Sequence, residues 1–225
     1  MKINLIKITL LVYLSISFST KLLSYDKSYL SNIQKKISLE KDELKKALLY
    51  EEVCWTFRYD SINIAKENGL LALRIFEYNN DKVGICRIYN KLGIIARNSY
   101  NYKEAIEYYN KVISIANTSD NSFDLELGHA YNNLANIYFD VDDISLASVN
   151  LSKAKDYFKK AKDKEGLAFN YNLFGFYHER INEYSKSKDY HYKALELRLE
   201  TGNFRRASES YVNLANCYLN INRSY

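Results

Sequence analysis

Four times the chain writes the same eight-residue phrase. It reads Tyr89-Asn-Lys-Leu92-Gly93-Ile-Ile-Ala96, Tyr131-Asn-Asn-Leu134-Ala135-Asn-Ile-Tyr138, Tyr171-Asn-Leu-Phe174-Gly175-Phe-Tyr-His178 and Tyr211-Val-Asn-Leu214-Ala215-Asn-Cys-Tyr218. The starts lie 42, 40 and 40 residues apart, and self-similarity at such a period marks a repeat array. Within each phrase the key sites fall at i, i+3, i+4 and i+7. That is one face of an α-helix, with a small residue at the third site where a second helix can come close.

Each phrase carries a second half. Sixteen residues after each of the first three leading tyrosines comes a small residue, with further packing sites four and seven positions on. These sets are Ala105, Tyr109 and Val112; Ala147, Leu151 and Ala154; Ser187, His191 and Ala194. The unit is therefore two amphipathic helices joined by a short polar turn. The turns Asn98-Ser-Tyr-Asn101, Asp140-Val-Asp-Asp143 and Ile181-Asn-Glu-Tyr184 are rich in residues that bond their own backbone. A weaker earlier copy is carried by Ala65, Gly69 and Ala72, preceded by Val53, Trp55 and Phe57, as an atypical end repeat would be.

The aromatic-x-x-Leu-Gly/Ala-x-x-Tyr phrase followed by Ala-x-x-x-aromatic-x-x-Ala resembles the tetratricopeptide repeat. The resemblance covers roughly residues 42–225 and implies an all-α fold. That fold is a right-handed α-solenoid of antiparallel helix pairs, about four repeats plus an unpaired last helix. The expected units are 42–80, 82–120, 122–163, 165–201 and an incomplete 203–225. Two departures stand out: the period is near 40 rather than 34, and the family's closing Pro is missing from a chain with no proline at all. Helices must then end on Asn79-Asn80-Asp81, Asn117-Thr-Ser-Asp120 and Gly202-Asn203. Longer repeats of this kind resemble the sensory or input regions of bacterial signalling proteins.

Charge argues against a nucleic-acid partner. The net charge of +5 resides in residues 1–36, where six lysines face Asp26; the remaining 26 basic and 26 acidic side chains cancel. A nucleic-acid binder concentrates cations on its folded body, and this chain does not. Segments such as Lys153–Lys164 read as solvated helix faces. With 47% hydrophobic and 26% charged residues the chain has the composition of a folded protein.

The N-terminus differs from the rest. Met1, Lys2 and Lys7 precede the apolar run Ile8-Thr-Leu-Leu-Val-Tyr-Leu-Ser-Ile-Ser-Phe18 and then Ser19-Thr20-Lys21. Residues 1–24 read as a secretory signal peptide, or, uncleaved, as a membrane anchor, with a cytoplasmic apolar helix as the third reading. Export to a periplasmic or membrane-associated location follows from the first two. Residues 25–41 form a linker or N-terminal cap before the array.

Nothing in the sequence assembles a catalytic or metal motif. Cys54, Cys86 and Cys217 fall in three different helices without CxxC spacing and read as small packing residues. His129, His178 and His191 show no HExxH arrangement; His178 and His191 replace other residues at motif sites and read as rings in or beside helix seams. Asp140, Asp142 and Asp143 lack the Gly and Glu of a calcium loop. No enzyme activity, cofactor or metal is expected.

Binding remains. The tetratricopeptide resemblance implies that the first helices of successive repeats line a concave wall. Between the packing sites lie Asn90, Asn132, Asn133, Asn136, Asn172, Asn213 and Asn216, carboxamides recurring at the array's period. Each can donate to a peptide carbonyl and accept from a peptide N–H, so the column suits an extended protein or peptide segment. Kinesin light chains and bacterial peptide-pheromone receptors, with similar repeats, use asparagines in this way. The match is strongest at Asn133 and Asn213, whereas Lys91 and Leu173 take that place in other copies. Arg97, with Arg87 and Arg180, adds charge selectivity. The bland reading is a set of polar residues on a hydrated surface. A second functional reading starts from the face of Tyr211, Leu214, Ala215 and Tyr218, which has no following helix in this sequence. Such a face invites self-association, or marks an incomplete sensory region of a larger signalling protein, a histidine kinase or transcription regulator.

Overall fold

The structure, a computed structural model, describes residues 28–119 and 123–223. The N-terminal segment 1–24, expected to direct export or anchoring, lies outside the described residues. Helix α1 occupies residues 28–39, within the stretch read as a linker or cap. Then follow α2 (Glu43–Thr56), α3 (Ile62–Tyr78), α4 (Lys82–Asn98), α5 (Tyr102–Asn117), α6 (Asp124–Asp140), α7 (Ile144–Ala161), α8 (Lys164–Arg180), α9 (Tyr184–Glu200) and α10 (Phe204–Arg223). No strand occurs among the described residues.

The helices stack as antiparallel hairpins α2/α3, α4/α5, α6/α7 and α8/α9, each packed on the next, and α10 closes on α9. First helices of neighbouring hairpins also touch: α2 meets α4, α4 meets α6, and α6 meets α8, while the second helices make no comparable contact among themselves. The first helices thus form the inner, more crowded wall. This is an α-solenoid of the expected kind. Its seams are those the phrases announce, with Leu134, Ala135 and Ala147 all buried.

Small residues set how close the helices come. A Cβ on Gly93 would sit 2.4 Å from Cε1 of Tyr109, and one on Gly175 2.4 Å from Cε1 of His191. Each of these two glycines therefore receives the ring that lies four positions after the small residue of its own second helix. Upstream, Ile33 and Ile37 of α1 join the core cluster of Val53 and Phe57, so α1 caps the first hairpin.

Turn chemistry replaces the missing proline. Six interhelical turns place one residue in the left-handed region: Asn80, Tyr100, Asp142, Lys162, Asn182 and Gly202. In every one the next residue's N–H reaches five positions back, as in Asp81 N to Phe76 O at 2.9 Å and Asp163 N to Phe158 O at 3.0 Å. These are Schellman closures. The residue after each left-handed position then starts the following helix. Asp81, Asn101, Asp143 and Asp163 accept side-chain caps from the N–H three residues on. Stop and start signals share three residues, which lets helices of about 17 residues repeat near a 20-residue half-period.

Candidate functional site

The asparagines fall into two structural groups: Asn90, Asn132, Asn172 and Asn213 bond across repeats, and Asn133, Asn136 and Asn216 do not among the described residues. One position after the leading Tyr, the side chain turns toward the next repeat. Asn90 Nδ2 donates to the Glu126 carbonyl of α6 at 3.0 Å. Asn132 Oδ1 accepts from Asn170 Nδ2 of α8 at 3.0 Å, and Asn170 also donates to the Leu151 carbonyl. Asn172 Oδ1 accepts from Asn213 Nδ2 of α10 at 2.8 Å. Asn90, Asn132 and Asn172 are all buried. Each holds one repeat to its successor.

Of the other group Asn133 is buried, Asn136 is half-buried and Asn216 is exposed. Asn136 lines an open cleft of about 410 Å³ that crosses the ends of α4, α6, α8 and α10. Its apolar floor is Phe139, Leu173 and Phe176, and its rim carries Arg97, Asp140, Glu179, Arg180 and Asn220. Polar side chains outnumber apolar ones in this lining, so the cleft is more polar than an ordinary small-molecule pocket.

The arginines are already paired across repeats. Arg97 grips Asp140 through Nε at 2.6 Å and Nη2 at 2.9 Å. Arg180 donates to Asp142 at 2.7 Å, and Arg87 to Glu51 at 2.6 Å, where Lys91 also lies 2.7 Å away. Burial alone would raise the Glu51 carboxyl, but the hydrogen bond from Arg87 and the Lys91 charge outweigh it and hold it below the ordinary range. Beside this group Arg58 stacks on Trp55 with its guanidinium carbon 3.9 Å from the ring centre.

One cluster escapes sequence reasoning. Glu179 at the end of α8, His191 and Ser187 on α9, and Cys217 on α10 converge at the last complete seam. Cys217 Sγ lies 3.3 Å from Glu179 Oε1 and 3.1 Å from Ser187 Oγ, and Ser187 donates to Glu179 at 3.3 Å. Burial pushes the Cys217 thiol up to about 11. The only sequence signal was polarity at two buried motif sites, where Ser187 stands for Ala and His191 for Tyr or Leu. Of the other histidines, His129 packs edge-on against Phe158, and His178 stacks on Tyr190.

A sequence model of the tetratricopeptide repeat matches residues 87–119, which span α4 and α5 with the first phrase. No curated protein matches the chain. Among solved structures it is similar to a signal transduction ATPase with numerous domains from Pyrococcus horikoshii, which carries a tetratricopeptide repeat sensor, at 16% identity and TM-score 0.64. That likeness covers 91% of this chain but 32% of the other, so the chain spans about a third of that relative. It is similar to the apo form of RapI at 20% identity and TM-score 0.65, over 87% of this chain and 71% of that one. A putative kinesin light chain of Podospora anserina, described by its tetratricopeptide-like repeats, matches at 12% identity and TM-score 0.58, over 82% and 90% of the two chains. One repeat matches the tetratricopeptide model directly, and the stack has the fold of such helical arrays, with repeats of about 40 residues.

Proposed function

We propose that this chain is a non-enzymatic scaffold that binds an extended protein or peptide segment along the inner wall of α4, α6, α8 and α10. The observation that carries the reading is the cleft itself, in which Asn136 stands over the apolar floor of Phe139, Leu173 and Phe176. A carboxamide beside aromatic rings can hold one peptide unit by both its polar groups while the floor takes an apolar side chain. Asn133 and Asn216 extend the same wall. Asn90, Asn132, Asn172 and Asn213 support it from behind by fixing the repeat-to-repeat angle. Arg97 and Arg180, held by Asp140 and Asp142, place two guanidinium groups at the rim, suited to an acidic or C-terminal group. The sensor role named for the Pyrococcus horikoshii relative supports a recognition task of this kind.

Random peptides displayed on phage and selected on the immobilised chain test the reading. Enriched peptides should lose about tenfold in affinity or more for a chain carrying Asn136→Ala and Phe176→Ala, with circular dichroism unchanged. Binders indifferent to both substitutions would move the site elsewhere.

A second reading is favoured by α10, whose outer face leaves Phe204, Val212 and Leu219 exposed. In it this end of the stack docks on a second copy or another subunit. The apolar run at residues 8–18 supports export of the chain, since its basic start and short length suit a signal segment better than a spanning helix.

A further inference from the structure

We propose that Glu179, His191 and Cys217 form a site for one divalent transition ion of the zinc class, clamping α10 onto the α8/α9 hairpin. The carboxylate oxygen, ring nitrogen and sulfur all lie within 4.8 Å of one another. Glu179 Oε1 is 3.4 Å from His191 Nε2 and 3.3 Å from Cys217 Sγ. Ligands bound tetrahedrally at zinc bond lengths stand about 3.3–3.6 Å apart, so these two edges are already those of a coordination polyhedron.

The histidine supplies the independent sign. His191 is fully buried, and its Nε2 has no hydrogen-bond partner. Its other nitrogen is committed: Nδ1 lies 3.1 Å from Asn172 Oδ1, which can only accept, so Nδ1 carries the proton. That oxygen is itself fixed by Asn213 Nδ2 at 2.8 Å. With Nδ1 committed, the buried Nε2 is left facing the Glu179 carboxylate oxygen at 3.4 Å without a hydrogen bond. A cation between them would be held by both. Ring N–H to amide oxygen is also the outer-shell arrangement that orients metal-binding histidines.

The donor set fits the chemistry. One thiolate, one imidazole and one carboxylate suit zinc, and Mg²⁺ or Ca²⁺ would demand more oxygens. Binding replaces the S–H bond of Cys217 with a metal–sulfur bond and releases one proton to solvent, leaving the site neutral. Glu179 also lines the inner cleft, giving an entry path and room for a water as fourth ligand. Because the ligands come from α8, α9 and α10, the ion would tie the last helix to the array.

Titrating the chelator-stripped full chain with cobalt chloride tests this. One equivalent should give thiolate-to-cobalt charge transfer and tetrahedral ligand-field bands, both abolished by zinc chloride. The bands should persist in Cys54→Ala and vanish in Cys217→Ser, and Glu179→Gln should weaken cobalt binding by at least ~10–100-fold. Glu179 is partly exposed, so that variant keeps the seam intact. Zinc should also raise the melting temperature of the natural chain and leave Cys217→Ser unmoved. A folded chain without the charge-transfer band overturns the proposal, as does the same band in Cys217→Ser or unchanged affinity in Glu179→Gln.

Discussion

Neighbouring asparagines of one phrase differ in whether they tie one repeat to the next. Successive residues of a helix are turned by about 100°. Asn132 and Asn133 are neighbours in the chain, yet among the described residues Asn132 bonds Asn170 of the next repeat whereas Asn133, also buried, makes no such cross-repeat bond. The same scale governs charge at Glu51, a buried carboxylate between the half-exposed Arg87 and Lys91. Its folded pKa is depressed below 4.5, so its contribution to stability is complete above the unfolded value and is lost as pH falls through the folded one. Urea melts of Glu51→Gln should show about 2 kcal/mol less stability than the natural chain at neutral pH, because two cations lose their partner. The gap should narrow toward pH 3. An equal gap at both pH values would mean that the carboxylate's charge contributes nothing and only its shape matters.

Between residue and molecule lies the turn, whose chemistry explains how a chain without proline stops its helices so regularly. Five of the six left-handed turn positions are filled by residues with a Cβ, each at a cost of about 1 kcal/mol relative to glycine. Lys162 is the cleanest case, with φ 55° and an exposed side chain. Lys162→Gly should raise stability by about 1 kcal/mol in a denaturant melt, whereas the same change within a helix would lower it. These turns also mark what could be read in advance. The i, i+3, i+4, i+7 spacing of Leu134, Ala135 and Tyr138 and the small residues at Ala105 and Ala147 announce the seams, because burying one helix stripe leaves a regular trace in sequence. Asp143 announces a helix start in the same way, whereas Asp163, read within the solvated face Lys153–Lys164, turns out to cap the next helix. The direction of each asparagine left no such trace, since all sit at polar positions of one amphipathic pattern. The convergence of Glu179, His191 and Cys217 was hidden more deeply. His191 and Cys217 lie 12 and 38 residues beyond Glu179, and only the stacking of three helices brings them together.

At the scale of the whole array, stability is a sum over neighbouring contacts, so the character of an uncovered face matters as much as that of the core. Inside the stack, the position after each leading Tyr holds Asn90, Asn132 or Asn172, and the next hairpin covers it. In the last phrase that position is Val212, 60% exposed, flanked on α10 by exposed Phe204 and Leu219. An apolar residue at a site built to be covered gains about 25 cal/mol for each Å² removed from water. In the second reading proposed above, a second copy supplies that cover through a two-fold contact, each α10 lying on the other. The mass of the chain measured by light scattering should then rise with concentration toward a dimer. Val212→Lys with Leu219→Lys should hold it at one copy while helicity stays the same, because both side chains already stand in water in the single chain. A natural chain that remains monomeric at about 100 μM, well above the micromolar range in which an interface of ordinary size associates, would overturn that reading.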